Sequence, residues 1–331
     1  MTPRALVAAC LTVVLAASAF GGRAADAKRA CTTTATTLRG ACALDAGEAA
    51  ATTLAACINL EDEDARDDCR AEAKASVGEA RADCADVFAA RKEVCESVGE
   101  ARYDPAFGEA FADRFVDPRD IGDSVQPNPF FPLIPGATRE FRGTFTNEEG
   151  ETVTETETVT YSDGVKSIEG VLCLRVRDVV EEDGEVVEDT EDWFAQDVDG
   201  NVWYCGEIAQ SFETFEGDDP DERELVDVEG SWKAGRDLAK PGLAMPANPQ
   251  VGTVIRQELA WAIAEDVIEI ADLQGSATVP AAACNGTCLI THDFSALEPG
   301  VTESKYYARG IGLILELGAG GERLELVAHD E

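Results

Sequence analysis

The sequence predicts an α+β protein, in which an N-terminal disulfide-stapled antiparallel helical hairpin precedes a large antiparallel, curved, half-barrel-like β-sheet. Two observations carry this prediction: the early cysteines are spaced symmetrically, and apolar and polar residues alternate with period two in the second half of the chain. Among 331 residues, 27 Lys and Arg face 65 Asp and Glu, which gives a net charge of −38. Nonspecific binding to nucleic acid or to an anionic bilayer is therefore excluded, because both partners are negative themselves.

Residues 1–27 are predicted to be a secretory signal peptide. A positive residue precedes the apolar run 5–20, and small residues suited to cleavage lie from Ala19 to Ala27. The run is too short for a membrane-spanning helix, which needs about 20 residues, and no later segment is predicted to span. A lipoprotein signal at Cys10 is disfavoured because most of the apolar run follows that cysteine. We expect a secreted or periplasmic protein without a transmembrane segment in the mature chain.

Six cysteines predict the hairpin over residues 28–102. Their spacings of 11, 15, 12, 15 and 11 residues are symmetric about Glu63. Spacings of 11 and 15 are close to three and four helical turns, so the cysteines of each arm stay near one face. An antiparallel hairpin that turns at Glu63 brings the mirror-related cysteines together. The predicted disulfides are Cys31–Cys95, Cys42–Cys84 and Cys57–Cys69.

Residues 103–136 are predicted to form an ordered, proline-rich strap, because prolines interrupt helix there and phenylalanines can dock it. Residues 137–331 are predicted to form the antiparallel β domain, with Gly, Asp and Asn turns between strands. The run 152–160 is polar on both faces, which predicts an edge or solvated strand, and 240–249 is predicted to be a loop. The predicted strands are Thr138–Thr146, Thr152–Ser162, Val171–Val180, Val186–Gln196, Val202–Ile208, Thr253–Ala264, Val267–Leu273, Cys288–Phe294, Thr302–Ala308, Gly312–Leu317 and Arg323–Ala328.

The four cysteines of the β domain are expected to be oxidised. Cys284–Cys288 can close a small loop while Cys173–Cys205 joins two strands, but the two crossed arrangements, 173–288 with 205–284 and 173–284 with 205–288, remain open. A metal site built from Cys284, Cys288 and His292 is the alternative. It is disfavoured because thiols are consumed as disulfides in an oxidising compartment.

The segment around Gly200 predicts either a hairpin turn or a cation site. Asp197, Asp199 and Asn201 place oxygen ligands at alternate positions, as Ca²⁺ prefers. Asp-Gly between two apolar runs is also the common two-residue hairpin turn. Calcium is the one cofactor that the sequence suggests.

Four stretches of the chain resemble a family of exported bacterial proteins, over about residues 128–328. The family resemblance implies no activity, since no reaction or ligand is assigned to it. More distantly, the sheet segment is similar to the half-barrel sheets of bacterial lipoprotein carriers, which is a likeness of fold only. The stretches are NPFFPLIPG (128–136), EDTEDWFAQDVDGNVWYCGE (188–207), AMPANPQVGTVIRQE (244–258) and LEPGVTESKYYARGIGLI (297–314).

The sequence contains no recognisable catalytic motif. G-x-S-x-G, H-E-x-x-H and P-loop patterns are missing, and the histidines are His292 and His329 alone. We therefore expect a non-enzymatic protein whose sheet binds an apolar or amphipathic ligand or a protein partner of the envelope. The alternatives are a structural component of a cell-envelope or extracellular assembly and a calcium-stabilised binding module. The aromatics expected to face a ligand or to fill the core are Trp193, Trp203, Trp232 and Trp261.

Overall fold

The described residues form two compact units, one ending at Tyr103 and the other beginning at Asp104. The fold class is α+β, as predicted: a helical pair with disulfides, then a large antiparallel sheet. The predicted signal peptide lies outside the described residues. The computed structural model describes residues 29–147, 150–215, 217–220 and 222–330.

The first unit is a pair of antiparallel helices, α1 (Ala30–Ile58) and α2 (Glu63–Val98). The carboxylate of Asp62 caps α2 by accepting a hydrogen bond from the amide of Ala65 at 2.8 Å. Three disulfides connect the helices, with Cα–Cα distances of 5.6, 5.8 and 5.7 Å from the open end to the bend. The pairing predicted from the mirror spacing is thus confirmed as Cys31–Cys95, Cys42–Cys84 and Cys57–Cys69.

Few large side chains are buried between the two helices. Val94 is the bulkiest buried aliphatic residue of the described hairpin, and the other buried apolar residues are alanines and half-cystines. So little apolar area cannot offset the entropy of ordering two long helices. The disulfides therefore replace the missing core by restricting the unfolded chain.

Helix α1 is long and apolar enough, by length and composition alone, to cross a membrane. The prediction that no segment after the leader meets these criteria was wrong, because alanine and threonine rather than leucine carry the hydropathy of α1. Three disulfides hold α1 along α2, which carries charged residues from Glu63 to Glu96. A span by α1 would bring these charges into hydrocarbon at several kcal/mol each. We interpret α1 as one arm of the hairpin.

The second unit is one sheet in which sixteen described strands pair antiparallel. Its main path follows the order β10-β12-β13-β14-β15-β16-β1-β2-β3-β4-β5-β9-β11, with β6, β7 and β8 attached beside β4 and β5. The strands are β1 (Thr138–Thr146), β2 (Thr152–Ile168), β3 (Val171–Glu182), β4 (Glu185–Gln196), β5 (Val202–Ile208), β6 (Ser211–Glu213), β7 (Glu224–Asp227), β8 (Trp232–Lys233), β9 (Lys240–Met245), β10 (Val254–Arg256), β11 (Glu258–Leu259), β12 (Asp266–Val279), β13 (Ala282–Ser295), β14 (Glu303–Ala308), β15 (Gly312–Leu317) and β16 (Arg323–Asp330).

The segment 254–259 brings the two ends of the sheet together. Strand β10 pairs with β12 at one end of the strand order, and β11, which follows after Gln257, pairs with β9 at the other end. Gly242 permits this approach, because a Cβ atom there would overlap the backbone of Arg256 and Gln257. The sheet is therefore a nearly closed ring rather than an open half-barrel.

Three local predictions were wrong. Strand β2 is not an edge strand but lies between β1 and β3, because its inward side faces a polar interior. The predicted loop 240–249 begins with β9, since Gly242 there admits the neighbouring backbone. The predicted strand Thr253–Ala264 divides into β10 and β11, because the chain changes its pairing partner at Gln257.

The strap is ordered and packs within the second unit. It contains two 3₁₀ helices, Glu109–Arg114 and Pro118–Asp120. Phe130 and Leu133 are buried in the cluster that fills the ring near its strap end. The side-chain oxygen of Asn128 fixes this conformation by accepting hydrogen bonds from the amides of residues 130 and 131 at 2.9 and 3.0 Å. The strap thus closes one end of the ring.

Removing Cys31–Cys95 is expected to destabilise the helical hairpin more than removing Cys57–Cys69. Their sequence separations are 64 and 12 residues. Because Cys42–Cys84 stays closed, removing Cys31–Cys95 frees about 22 residues, in the segments 31–42 and 84–95, and removing Cys57–Cys69 frees a loop of 12, so the double serine variants should lose about 3.4 and about 2.8 kcal/mol respectively. Denaturant unfolding followed by the helical circular dichroism signal measures both losses. Equal losses, or the reverse order, would show that restriction of the unfolded chain is not what the disulfides contribute.

Candidate ligand-binding cavity

The interior of the ring contains a cavity of about 250 Å³. Side chains alternate between the two faces of a strand, so every second residue of the surrounding strands points into it. The volume is slightly below the range of about 300–1,000 Å³ that is typical of ligand pockets. A small molecule is therefore the largest ligand that fits without rearrangement.

Inward-facing side chains change from aromatic or aliphatic to acidic with distance from the strap. The amide of Tyr161 donates to the carbonyl of Ala137 next to the strap, which marks that end of the ring. Along β2 the inward residues are then Val159 and Glu157. The same change runs from Val176 to Asp178 on β3 and from Phe194 to Asp192 on β4, whereas on β14 Tyr307 gives way to the basic Lys305.

The strap end of the cavity is a stack of aromatic rings. Phe131 of the strap lies 5.1 Å from Phe194, and Phe194 is stacked on Tyr204 with ring centroids 4.6 Å apart. Tyr204 in turn meets the edge of Trp232 at 5.4 Å. This end offers flat apolar surfaces to a ligand.

A buried arginine is the one cation of the aromatic end. Arg139 is 6% exposed, and its guanidinium lies 4.4 Å from the ring centroid of Tyr161. Its Nε donates to the carbonyl of Ile311 at 2.9 Å. Its Nη1 has no hydrogen-bond partner among the described residues, so one donor remains available at the wall of the cavity.

The other end of the cavity is strongly acidic. Lys305 is its only basic side chain, with Nζ 3.2 Å from Glu316, 3.6 Å from Glu303 and 3.8 Å from Asp293. Burial opposes the charge of Lys305, but these carboxylates together raise its pKa well above the usual value. The acidic residues that line the cavity are Glu157, Asp178, Asp192, Glu258, Asp266, Asp293 and Glu316.

Most of these carboxyl groups lack compensating charge. Burial raises the pKa of Glu157 well above its usual value, with the charge of Asp178 adding to the effect. Burial likewise raises the pKa of Asp178 to about 6 and that of Asp192 well above normal. Glu207, beside Tyr204, has its pKa raised by burial to about 7. A cation bound in the cavity would favour the charged forms of the carboxyl groups that line it and lower their pKa values.

Glu258 is a buried carboxyl group with an oxygen atom, Oε2, that has no hydrogen-bond partner among the described residues. Its side chain is 4% exposed and lines the cavity, and burial raises its pKa well above normal. The indole N–H of Trp232 approaches Glu258 and Glu207 and favours their charged forms, but completes no hydrogen bond to Oε2 of Glu258. Oδ1 of Asp178 is also unpartnered among the described residues. Buried acceptors in this state cost free energy, about 1–3 kcal/mol each, unless a ligand or water meets them.

None of the four tryptophans lines the ring cavity. Trp193 and Trp232 are buried in a cluster on the outer face of the sheet, in accordance with the core alternative. Trp203 packs against Phe107 and Phe115 of the strap, with centroids 6.3 and 5.9 Å away. Of the two adjacent aromatics on β4, Phe194 points into the ring cavity and Trp193 points to the outer face.

The Asp197–Asn201 segment is a turn in which the carboxylate of Asp197 accepts four hydrogen bonds. Oδ1 of Asp197 accepts from the amides of Asp199 and Asn201 at 3.0 and 2.9 Å, and Oδ2 accepts from Nδ2 of Asn201 and Nε1 of Trp203 at 2.9 and 3.0 Å. These four donors occupy the lone pairs that a cation would need. Among the described residues no group of acidic, His or Cys side chains has the geometry of a metal site. Of the two predicted structures, a hairpin turn or a cation site, the segment has that of the hairpin turn.

The four cysteines of the sheet pair as Cys173–Cys205 and Cys284–Cys288. The first disulfide lies in the outer-face cluster with Trp193, and the second lies in a separate cluster with Phe141. The crossed arrangements and the metal site with His292 are thus excluded.

Comparisons with protein-family models, with curated proteins and with solved structures found no match to this chain. The family resemblance stays a prediction, and the site is interpreted from its own chemistry. All ten cysteines of the described residues form disulfides. This pattern is typical of an oxidising compartment.

Stability is expected to fall as the pH rises from about 5 to 8. The pKa of Glu207 is about 7 in the folded protein against 4.5 ordinarily, so between these values the folded state binds more protons than the unfolded state. The free energy of unfolding then decreases with pH, by about 1 kcal/mol per pH unit for one such carboxyl group. Urea unfolding at pH 5, 6, 7 and 8 measures the slope.

Glu207→Gln is the matched variant, because the amide keeps the shape of the side chain and cannot ionise. It should flatten the profile between pH 5 and 7, while Asp199→Asn in the exposed turn should leave it unchanged. A wild-type stability that is constant or increases over this interval would contradict the raised pKa.

Proposed function

We propose that the second unit binds a small organic cation with an apolar body inside the ring, as a secreted or periplasmic, non-enzymatic binding protein. The observation that carries the proposal is the excess of buried carboxylates at one end of the cavity, with Oε2 of Glu258 unpartnered. A bound cation supplies the positive charge that this wall lacks.

Charge favours a cation over an anion or a neutral ligand. Seven acidic side chains line the cavity against two basic ones, Arg139 and Lys305, and Lys305 is already surrounded by carboxylates. An ammonium or guanidinium group beside Glu258 would favour the charged carboxylate and lower its pKa. An organic cation fits better than a metal ion, since no set of the described residues converges with metal-ligand geometry.

The aromatic end supports an apolar body on the same ligand. Phe131, Phe194 and Tyr204 present ring faces and edges next to the acidic wall. Such surfaces bind apolar groups and also attract cations through their π electrons. The free Nη1 of Arg139 would donate to a hydroxyl or carbonyl oxygen at the apolar end of the ligand.

Binding of 2-phenylethylammonium and of its anionic counterpart 3-phenylpropionate tests the proposal. Titration calorimetry of the full chain at pH 7.5 and 0.15 M salt should show one site for the cation. Glu258→Gln should weaken binding by about tenfold or more, because a charge-assisted contact worth about 1.5–3 kcal/mol is lost. Asp199→Asn, which removes one exposed charge from the same unit, should leave the affinity unchanged.

Binding of the cation should also release protons, which calorimetry can detect. If the cation displaces protons from Glu258 and its neighbours, the measured heat will depend on the ionisation enthalpy of the buffer. Equal binding of 3-phenylpropionate, or an unchanged affinity in Glu258→Gln, would overturn the proposal.

A second role, in an envelope or extracellular assembly, is favoured by the surface of the hairpin. Leu44, Leu54 and Ile58 of α1 are 76%, 40% and 68% exposed, although large apolar residues are scarce in this unit. Leu54 and Leu44 precede Ile58 by 4 and 14 residues, about one and four helical turns, so the three lie near one face of α1, and an apolar face is typical of a contact surface. We propose that α1 associates with a second copy of this chain, so that the hairpin acts as a docking arm.

Light scattering over a range of protein concentrations tests this role. The wild-type protein should show a concentration-dependent increase in mass, which Leu44→Glu with Ile58→Glu should abolish by placing charge in the contact. Leu238→Glu is the control, because Leu238 is 85% exposed on the second unit. A wild-type protein that stays monomeric at every concentration would contradict the docking arm.

A further inference from the structure

A second cavity of about 260 Å³ lies on the outer face of the sheet. Its floor is built from aromatic residues of the outer-face cluster, Trp193 and Trp232, and its side is formed by Trp261. Three indole rings around one small cavity form a surface suited to a planar apolar group. The proposed function of the ring interior does not use this cavity.

Basic side chains surround this aromatic floor. Nζ of Lys166 lies 3.6 Å from the ring centroid of Trp193, and Nζ of Lys233 lies 5.9 Å from it. Arg236 lines the same cavity beside Lys233. Partial burial together with the charges of neighbouring cations lowers the pKa of both lysines. In a chain of net charge −38, a local concentration of positive charge is unusual.

The carboxylates near this cavity leave the positive charge uncompensated. Glu191 accepts from Arg175 and from Nε1 of Trp193, and lies 3.9 Å from Lys166. Glu207 also lines this cavity, but it lies beside Tyr204 and Trp232, and burial raises its pKa to about 7. Within the described residues, neither Lys233 nor Arg236 has a side-chain ion pair. Asp237, exposed at the rim, is the remaining acidic group of the cavity.

The loops that form the rim are held in uncommon backbone conformations. Asp237 and Leu238 have φ values of 47° and 66°, and Ala262, next to Trp261, has a φ of 63°. Left-handed conformations of residues other than glycine are strained and are concentrated at ligand-binding and active sites. The amide of Ala262 donates to Oε1 of Glu265 at 2.7 Å, which holds the second loop.

We propose that this outer cavity binds an aromatic anion, a planar ring system bearing a carboxylate, sulfonate or phosphate. The ring would lie against Trp261, which is only partly buried, above the buried Trp193 and Trp232, and the anionic group would contact Lys233 and Arg236 at the rim. Arg236 has the planar donor geometry that binds such oxyanions in pairs of hydrogen bonds. The site therefore has the opposite charge preference to the ring interior.

Titration of the full chain with 2-naphthalenesulfonate tests the site, with 2-naphthylmethylammonium as the cation of matched shape. In 0.15 M salt, which screens the net charge of the chain, the sulfonate should bind at one site. Lys233→Glu with Arg236→Glu should weaken it at least tenfold. Lys74→Glu with Arg81→Glu, the same charge change on exposed positions of α2, should have no effect.

Two further variants test whether the sulfonate binds at the outer cavity rather than inside the ring, and a measurement of secondary structure tests whether each variant is folded. Trp261→Ala removes one wall without changing charge and should also weaken sulfonate binding, while Glu258→Gln should leave it unchanged. Circular dichroism of each variant checks the fold. No binding of the sulfonate at millimolar concentration, tighter binding of the matched cation, or an unchanged affinity after the double charge reversal would overturn the proposal.

Discussion

A sheet that closes on itself makes every second residue of its strands face a shared interior. In this protein the closure depends on the segment 254–259, which pairs with β12 through Arg256 and with β9 through Glu258. The interior must then be filled or compensated from within, because little solvent reaches it. At the strap end, aromatic rings and the strap itself fill the space. At the other end, carboxylates occupy it and one lysine compensates them in part.

This division of the interior explains why the two candidate sites differ in charge. The inward faces of β2, β3 and β4 bring acidic residues together, where burial raises their pKa values and neighbouring carboxylates add to the effect for Glu157 and Asp192. The outward face of β4, one residue along, places Trp193 under Lys166 and Lys233. One strand thus contributes Asp192 to an acidic cavity and Trp193 to a basic one, because successive side chains point to opposite faces.

The hairpin could be predicted from sequence because it depends on the spacing of cysteines along two helices that are adjacent in the chain. Cysteine spacings that match helical turns, mirrored about Glu63, allow one nested pairing, and that pairing is the one observed. Most strands could also be predicted, because the alternation of apolar and polar residues and the turn residues between strands are local features of the sequence. The antiparallel character and the curvature followed from consecutive hairpins.

The closure and the orientation of the strands could not be predicted. Arg256 and Glu258 change pairing partner over two residues, and this depends on contacts with strands distant in sequence. In Trp193-Phe194 two aromatics are adjacent, so alternation does not tell which one faces inward. Glu157 lies in a run that is polar on both faces, which normally indicates solvent. Here it indicates a polar interior, and the signal in the sequence was the pair Glu155 and Glu157, which alternate with threonine between Val153 and Val159.

The account depends on buried carboxyl groups whose pKa values lie well above those of exposed carboxyl groups. Carbon-13 NMR of labelled Asp and Glu carboxyls, titrated from pH 3 to 9, observes these groups directly. The account predicts a midpoint of about 7 for Glu207 and of about 6 for Asp178, and the midpoint of Asp178, which lines the ring cavity, moves to lower pH when 2-phenylethylammonium is present. Midpoints below 5 for every carboxyl group, with or without the cation, would contradict it.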